Sequence, residues 1–351
     1  MILKNIIDKK SSIKKPFLTV KENNIIKIKV DKSIEILIID NPGKKNSHQD
    51  NVGIIIEEKK ILSILSKRYK NVSITKINTK KDLKSLVDRK PDLVFSGVKY
   101  FNFNKKKLWL NNFLEKYNIP YIASSKAALD NESDKNKAKK IILKAKVKTA
   151  NFFITSPEKH LTASSIPISF PLFIKPIKGG DSRGIDSKSI VYDYSNFKKK
   201  VLDIKKKYNL SSLAETYLPG KEYSVGIFQD STKGSIRTMP IEIIIKKNVN
   251  GHSILDFDVK KNDEEKVIAV TDIKIFNKLS KLAKSSFKAL GGKSLGRIDI
   301  KMSKNGVPHF MEANLMPGLR AGYFYRSCVL NLDMNYEDMI FSIANTGLSS
   351  H

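Results

Sequence analysis

Apolar residues follow two different rhythms in the first third of the chain. Short apolar runs bounded by turn residues predict buried strands at SIEILIID (Ser33–Asp40), NVSITKI (71–77) and PDLVFSGV (91–98). Apolar residues that recur every three or four positions predict helices over 52–69, 80–90 and 106–118. Strands that alternate with helices of this length indicate an open α/β domain with a parallel sheet.

The pattern changes after about Ser125. The segment SDKNKAKKIILKAKV (133–147) predicts a strongly basic helix capped by Ser133 or Asp134, and further helices are predicted within 189–209 and from Asn277. Strands are predicted at 148–155, 170–177, 212–218, 221–229, 235–245, 295–303 and 309–316. The last two flank KNGV (304–307), a turn that predicts an antiparallel hairpin.

The 351-residue chain has a formal net charge of +30, from 65 Lys and Arg against 35 Asp and Glu. The basic residues are mostly Lys, are spread along the whole length, and are accompanied by no zinc-finger or aromatic RNA-binding motif. These features favour a solvated basic surface over a nucleic-acid-binding one. They also suit an anionic substrate such as ATP.

No run of residues approaches the ~18 consecutive apolar residues of a membrane span. The first residues, MILKNIIDKKSSIKKPFL, lack the continuous apolar core of a secretory signal. The single cysteine, Cys328, excludes an internal disulfide and fits a reducing compartment; its neighbours VLNL indicate a small core residue rather than a nucleophile. We therefore expect a cytoplasmic protein that does not bind membranes.

The predicted hairpin GRIDIKMSKNGVPHFMEAN carries the most specific chemistry. Because side chains alternate along a strand, Arg297 shares a face with Asp299, and Glu312 shares a face with Asn314. Pairing through KNGV brings these groups to one patch, and three oxygen-bearing side chains there suit hard divalent cations. The alternative is a solvent-facing polar edge, which the apolar neighbours IDI and FM disfavour.

Two further segments point to phosphate and nucleoside binding. In FPLFIKPIKGGDSRGI, a predicted strand ends at Lys175 and leads into a loop with Gly179, Gly180 and Gly184, which suits anionic oxygens; a simple hairpin turn is the alternative. In AETYLPGKEYSVGI, two carboxylates, Glu215 and Glu222, flank a Pro-Gly turn, an arrangement that can offer backbone groups to a base and a carboxylate to a sugar.

In order and spacing, DK, PLFIKPIKGGDSRGI, ETYLPGKEYSVGI, DFDVK, GRIDI and MEANLMPGL resemble the ATP-grasp superfamily, and within it the D-alanine–D-alanine ligases. The resemblance runs from about Tyr121 to Asp338. It implies an α/β ATP-grasp fold in which two α+β subdomains clamp ATP behind an open parallel α/β domain. The expected divisions are an extension (1–30, with a short strand at 23–30), the α/β domain (31–130), a central subdomain (131–218) and a C-terminal subdomain (219–351).

The resemblance also implies roles for individual residues. ATP contacts are expected from Lys135, Lys175, a phosphate lid at Gly179, Gly180 and Ser182, the adenine contacts Glu215 and Leu218, the ribose contact Glu222, and the γ-phosphate contact Lys260. Asp299, Glu312 and Asn314 match the ligands of two Mg²⁺ ions, for which Mn²⁺ is an expected substitute. Arg297 and the N–H of Gly318 match the groups that stabilise the oxyanion when an amine attacks an acyl phosphate.

Departures from the family pattern concern the amino-acid contacts. The family's N-terminal Ser-x-Glu-His-Glu-Val-Ser motif has no convincing counterpart in NPGKKNSHQDNVGI, and the lid reads Gly179-Gly180-Asp181-Ser182 instead of Glu-Gly-Ser-Ser. Lys261 replaces a tyrosine, while Arg320 and Tyr323 stand near positions of small hydroxyl residues. Arg320 suits either a substrate carboxylate or an exposed structural role. We expect the same ligase chemistry on a different pair of substrates.

Three other interpretations stay open at the level of sequence. A ligase of this superfamily could act on a larger peptide or natural-product carboxylate, the chain could bind ATP without turnover, or it could bind nucleic acid. We prefer amino-acid or peptide substrates and regard nucleic acid as the weakest alternative. A homodimer is compatible with the sequence.

Overall fold

A computed structural model describes residues 29–38, 53–54, 56–103, 106–180, 182–229, 234–246 and 251–349. Its N-terminal part contains β1 (Val30–Ile38), α1 (Glu58–Leu65), β2 (Tyr69–Lys76), α2 (Lys80–Arg89) and β3 (Leu93–Ser96). The strands form a parallel sheet in the order β2–β1–β3. Buried aliphatic side chains on both faces of β1 are typical of a parallel sheet covered on two sides. The predicted parallel α/β arrangement is confirmed.

Two helices predicted in this region begin several residues later than predicted. Gly53 forms a β-bridge with Val98, with no room for a side chain beside Gly97, and α1 begins only at Glu58. Residues 106–109 form β5 (Lys106–Trp109), which pairs with β4 (Tyr100–Phe103), and α3 (Leu110–Lys116) follows. The Tyr100 and Trp109 rings pack 5.5 Å apart across this hairpin, a cross-strand contact that overrides the helical pattern. The strand predicted at 23–30 lies outside the described residues except for its last two.

The middle of the chain forms a four-stranded antiparallel sheet with helices beside it. In chain order its elements are α4 (Lys126–Ser133), α5 (Lys135–Lys144), β6 (Phe152–Thr155), β7 (Leu172–Pro176), β8 (Ile190–Val191), α6 (Tyr194–Tyr208) and β9 (Ser212–Thr216). The strand order is β6–β9–β7–β8. Asp134 caps α5 by accepting from the N–H of Asn136 at 3.0 Å, which confirms one of the two predicted caps. Helix α4 was not predicted.

A five-stranded antiparallel sheet, ordered β12–β11–β10–β13–β14, forms the C-terminal part. Its elements are β10 (Glu222–Gln229), β11 (Ile236–Ile244), α7 (Phe257–Asn262), β12 (Lys266–Ala269), α8 (Ile273–Ala289), β13 (Leu295–Met302), β14 (Pro308–Asn314), α9 (Tyr323–Leu332) and α10 (Tyr336–Leu348). Cys328 is buried in α9, as predicted for a core residue. Within the described ranges, no helix combines the length and apolar composition needed to cross a bilayer.

The predicted hairpin of β13 and β14 contains a β-bulge at Met311. Ile300 pairs with Phe310, but the next residue, Asp299, pairs with Glu312, so Met311 is the extra residue in β14. Without the bulge, strict alternation would set Asp299 opposite Met311 and would turn Glu312 toward the other face. The bulge thus puts four polar side chains on one face of the sheet: Arg297, Asp299, Glu312 and Asn314. Ile298, Ile300, Phe310 and Ala313 enter the core.

A buried carboxylate ties the end of this hairpin to the N-terminal part. Glu132 of α4 accepts a hydrogen bond from the N–H of Leu315, directly after β14. Its other oxygen lies 2.6 Å from the Nζ of Lys99, which follows β3. Only 5% of the Glu132 side chain is exposed, so both partners compensate a desolvated charge.

We expect Glu132→Ala to lower the free energy of unfolding by about 3 kcal/mol, because it leaves Lys99 largely buried without its counter-charge. Urea denaturation at pH 7 measures this effect. Glu337→Ala is the matched control, since the Glu337–Lys67 pair also reaches the N-terminal part but is solvent-exposed. Equal destabilisation by the two variants would contradict this description of the Glu132 contact.

Candidate active site

The two antiparallel sheets face each other across one cleft that collects most of the predicted site residues. Its walls include Lys135, Lys175, Gly179, Gly180, Ser182, Glu215, Leu218, Glu222, Lys260, Asp299 and Glu312. Arg297 and Asn314 lie beside the cleft wall, opposite each other in the β13–β14 register. Gly318 is exposed, in a segment after β14 whose neighbouring residues are buried, and is not among the residues that line the cleft.

A cluster of buried charges forms the deep end of the cleft. Glu215 of β9 lies between two ammonium groups, 2.7 Å from the Nζ of Lys175 and 2.8 Å from the Nζ of Lys139. All three side chains are almost fully buried. Lys139 also donates to Thr149 Oγ1 at 2.6 Å. Because Lys135 also lines this end, the lysines outnumber the two nearby carboxylates, Glu215 and Glu312, which suits an anionic ligand.

The pKa values of the cluster follow from burial and charge together. Burial alone would raise the pKa of Glu215, but Lys139 and Lys175 lower it to about 2. Burial would lower the pKa of Lys175, but Glu215 and Glu312 outweigh it and the pKa is raised. For Lys139 burial dominates, and its pKa is lowered despite Glu215. Glu215 therefore stays ionised at neutral pH and holds Lys175 in its charged form.

Lys139 was not among the predicted site residues. It lies four residues after Lys135 in the DKNKAK segment, and residues spaced by four lie on the same face of a helix. Both side chains of α5 accordingly line the cleft, where Lys135 donates to the carbonyl of Gly179 at 2.7 Å. The helical spacing was the available signal.

The bulged hairpin supplies the opposite wall. Arg297 donates to both oxygens of Asp299, at 3.0 and 2.9 Å, and Ser224 donates to Asp299 at 2.7 Å. Among the described residues, the carboxylate of Glu312 has no hydrogen-bond or ion-pair partner, and the buried Nδ2 of Asn314 has no partner either. The predicted convergence of these side chains is confirmed, which excludes a solvent-facing polar edge; Met311, however, lines the cleft rather than the core.

Asp299, Glu312 and Asn314 supply only part of the coordination that a divalent cation needs. The described residues contain no group of three or more His, Cys, Asp or Glu with metal-site geometry. Two carboxylates and one carboxamide nevertheless lie on one face of the hairpin, and oxygen ligands of this kind suit Mg²⁺ when substrate phosphates complete its coordination. The unpartnered carboxylate of Glu312 is consistent with that role. The orphaned Nδ2 of Asn314 is a hydrogen-bond donor, so of this side chain only the carbonyl oxygen could bind the metal.

Two segments that line the cleft touch each other. Ser182, in the glycine-containing loop, donates to the carbonyl of Leu255 at 2.8 Å. His252 contacts the hydroxyls of Tyr192 and Tyr217, the latter at 3.1 Å from Nδ1. The loop after β7 thus packs against the segment before α7 and is more than a simple hairpin turn. Glu222, expected at the ribose, lies 2.8 Å from Lys301 Nζ.

The "D-ala D-ala ligase C-terminus" family model matches residues 142–345, which is more than half of the chain. The chain belongs to this family. A D-alanine–D-alanine ligase of Bacillus anthracis is 25% identical over 86% of this chain and 94% of its own length. A D-alanine–D-alanine ligase of Pelagibacter ubique is 27% identical over 67% of this chain and 74% of its own.

Solved structures extend the likeness to the fold. The D-alanine–D-alanine ligase from Bacillus anthracis complexed with ATP matches with a TM-score of 0.64 at 19% identity, over 90% of this chain and 97% of that one. The VanG D-Ala:D-Ser ligase from Enterococcus faecalis matches with a TM-score of 0.62 at 15% identity, over 90% and 99%. The predicted ATP-grasp fold is confirmed, and family membership confirms the prediction of an ATP-dependent ligase.

The residues that depart from the family pattern differ in their burial. Most of NPGKKNSHQDNVGI and Asp181 fall outside the described residues. Arg320 is exposed in the turn after Gly318. Tyr323 is buried, and its hydroxyl donates to Glu265 at 2.8 Å. Of these positions, Tyr323 has the most constrained environment.

We expect Glu215→Gln to lower the free energy of unfolding by about 3 kcal/mol at pH 7, because two buried ammonium groups lose their counter-charge. The folded-state pKa of Glu215, about 2, lies below the ordinary value of 4.5, so its contribution is complete above that value and is lost as pH falls toward 2. The difference between variant and wild type should shrink over that range.

Urea titrations at pH 7, 4 and 3 measure the difference. Asp203→Asn removes an exposed partner of Lys207 and serves as the control, with no such pH dependence expected. A Glu215→Gln variant as stable as wild type at pH 7 would contradict the assignment of the cluster.

Proposed function

We propose that the protein joins two amino acids through an amide bond and converts ATP to ADP and phosphate. The observation that carries this proposal is the meeting, in one cleft, of the Lys139–Glu215–Lys175 cluster with the oxygen-bearing face of the β13–β14 hairpin. A cleft with a positive end and a facing carboxylate pair suits a triphosphate. We also propose that residues 131–218 and 219–351 are the two subdomains that clamp it, behind an α/β domain at 31–130.

Each end of the nucleotide has a matching part of the cleft. Lys175 and Lys135 are suited to the phosphates, with the Gly179–Gly180–Ser182 loop as their cover, and Lys260 is suited to the γ-phosphate. The segment Glu215–Leu218 is suited to the adenine, and Glu222, paired with Lys301, to the ribose. The neutralised phosphates would no longer repel an approaching carboxylate.

Asp299, Glu312 and Asn314 would hold two Mg²⁺ ions together with the phosphates. When bound, these ions would neutralise charge on the transferring phosphoryl group. The chain's own contribution is orientation, since Ser224 and Arg297 fix Asp299 and the bulge at Met311 fixes Glu312.

The reaction would then proceed in two steps. An oxygen of the first amino acid's carboxylate attacks the γ-phosphorus, the bond to ADP breaks, and an acyl phosphate forms. The amine of the second amino acid attacks the acyl carbon, loses a proton and expels phosphate. Two N–H groups of Arg297 donate to Asp299. The remaining N–H groups of its guanidinium, together with the backbone N–H of Gly318, are suited to stabilise the oxyanion. The contact between Ser182 and Leu255 would keep water from the acyl phosphate.

The departures at Arg320, Tyr323 and Lys261 support a substrate pair other than two D-alanines. The oriented Arg297 favours turnover over ATP binding alone, because a passive binder has no need of an oxyanion site. A cytoplasmic location, a homodimer, and Mn²⁺ as substitute for Mg²⁺ stay predictions.

Wild-type protein should release ADP only when Mg²⁺, ATP and a suitable pair from a panel of D- and L-amino acids are present. Mass spectrometry of the product separates a dipeptide from a product of a larger carboxylate.

Lys175→Met should lower kcat/KM for ATP by about a hundredfold, because it removes a charge opposite the phosphates. The exposed Lys207→Met should not lower it. ADP release without a new amide product would contradict the proposal, and activity with two D-alanines alone would contradict the altered substrate pair.

Mn²⁺ should bind weakly to the protein alone and tightly when ATP is added, because two carboxylates and a carboxamide leave most of the coordination to phosphates. Electron paramagnetic resonance of free Mn²⁺ measures both affinities. Glu312→Gln should remove most of the ATP-dependent binding, whereas Glu337→Gln, on the surface, should keep it. Tight Mn²⁺ binding that is independent of ATP would contradict the assignment.

A further inference from the structure

Tyr323, the first residue of α9, lies against three cationic side chains. Its ring centroid is 5.5 Å from Arg297 Cζ, 6.0 Å from Lys260 Nζ and 6.0 Å from Arg326 Cζ. The negative face of an aromatic ring attracts cations at such distances. Arg297 and Lys260 come from different elements, β13 and α7, so one ring contacts two groups that the proposed reaction needs together.

The Tyr323 ring is held in place by its hydroxyl. The hydroxyl donates to Glu265 Oε1 at 2.8 Å, and Glu265 is 8% exposed. Burial raises the pKa of Tyr323, and Glu265 adds to this effect, so the hydroxyl remains a donor. This bond restrains the ring against rotation away from the two cations.

A second residue of α9 reinforces the same contact. Arg326 pairs with Asp263, the residue that ends α7, and its Nη1 lies 3.5 Å from Glu265 Oε1. Helix α9 therefore holds the chain after α7 at two points. Because Lys260 belongs to α7, these contacts also restrict where its ammonium group can lie.

Packing alone does not account for the hydroxyl and the carboxylate. Tyr323 lies in an apolar cluster with Ile241, Ile243, Ile245 and Leu255. Phenylalanine would fill the same volume without the desolvation cost of a buried carboxylate, which is large unless its partners are well placed. Glu265 Oε2 also has no hydrogen-bond partner among the described residues, so the carboxylate is not fully satisfied.

We propose that Tyr323, anchored by Glu265, is a positioning residue that sets Lys260 and Arg297 together at the reacting end of the cleft. This inference rests on the proposed roles of those two cations at the γ-phosphate and the oxyanion. The ring thereby links the position of the α7 segment to the orientation of Arg297.

The test compares Tyr323→Phe with Tyr121→Phe. Tyr121 is likewise buried and donates its hydroxyl to a carboxylate, Glu115, but it lies in the N-terminal part. Calorimetric titration with ATP and with ADP, both with Mg²⁺, should show that Tyr323→Phe weakens ATP binding about fivefold, because the ring without its Glu265 hydrogen bond no longer fixes Lys260. ADP binding should stay within about twofold. Tyr121→Phe should leave the ratio of the two affinities at the wild-type value.

Turnover provides the second measurement. Tyr323→Phe should lower kcat by about tenfold, because misplacing an oriented catalytic group is costly, and Glu265→Gln, which keeps an acceptor for the hydroxyl, should retain more activity than Glu265→Ala. An unchanged ATP-to-ADP affinity ratio in Tyr323→Phe, or equal effects in Tyr121→Phe, would overturn the inference. If the ratio changes but wild-type protein makes no amide product, the positioning role stands and the proposed function fails.

Discussion

One extra residue in β14 decides which side chains face the cleft between the two antiparallel sheets. In a regular antiparallel pair, residues that face each other share a side of the sheet, and a shift of one position exchanges the two sides. The bulge at Met311 introduces that shift between Ile300 and Asp299. It lets Phe310 remain in the core while Glu312 joins Asp299 on the polar face. Without it, the carboxylates would not meet, and the cleft would lack its proposed dication site.

The wall opposite this hairpin is organised by charge rather than by register. Glu215 compensates two buried ammonium groups only partly, so the cleft keeps an excess of positive charge in a place shielded from water. In such surroundings electrostatic attraction is stronger than at an exposed surface. Phosphate oxygens would supply the missing negative charge. The same arrangement links stability and binding, because the groups that are costly to bury are those that a nucleotide would satisfy.

The sequence predicted more of the site than of the N-terminal part, for physical reasons. Alternation along two strands and the KNGV turn were enough to place Arg297 with Asp299 and Glu312 with Asn314. The bulge that makes the two pairs coincide was not predictable, because it depends on Phe310 fitting the core. The four-residue spacing from Lys135 could have indicated Lys139, but this residue was not predicted. The sequence of residues 106–109 has a helical pattern, but these residues form a strand because they pair with β4, where Tyr100 packs against Trp109. A local pattern does not show that pairing.

The contacts between the cleft and the rest of the molecule were also beyond the sequence. Glu132 and Glu265 look like ordinary surface acids in a chain with many charges, yet both are buried and each holds a segment beside the hairpin or α7. Their partners, Lys99 and Tyr323, are distant in sequence, and only the packing of the three parts brings them together.

Titration calorimetry of the wild-type protein with AMP, ADP and ATP, each with and without Mg²⁺, tests the central claim most directly. If the lysine cluster and the bulged hairpin together hold a triphosphate with its dications, affinity should rise with each added phosphate and Mg²⁺ should strengthen ATP binding most. Equal affinities for AMP and ATP, or ATP binding that Mg²⁺ does not alter, would contradict the account.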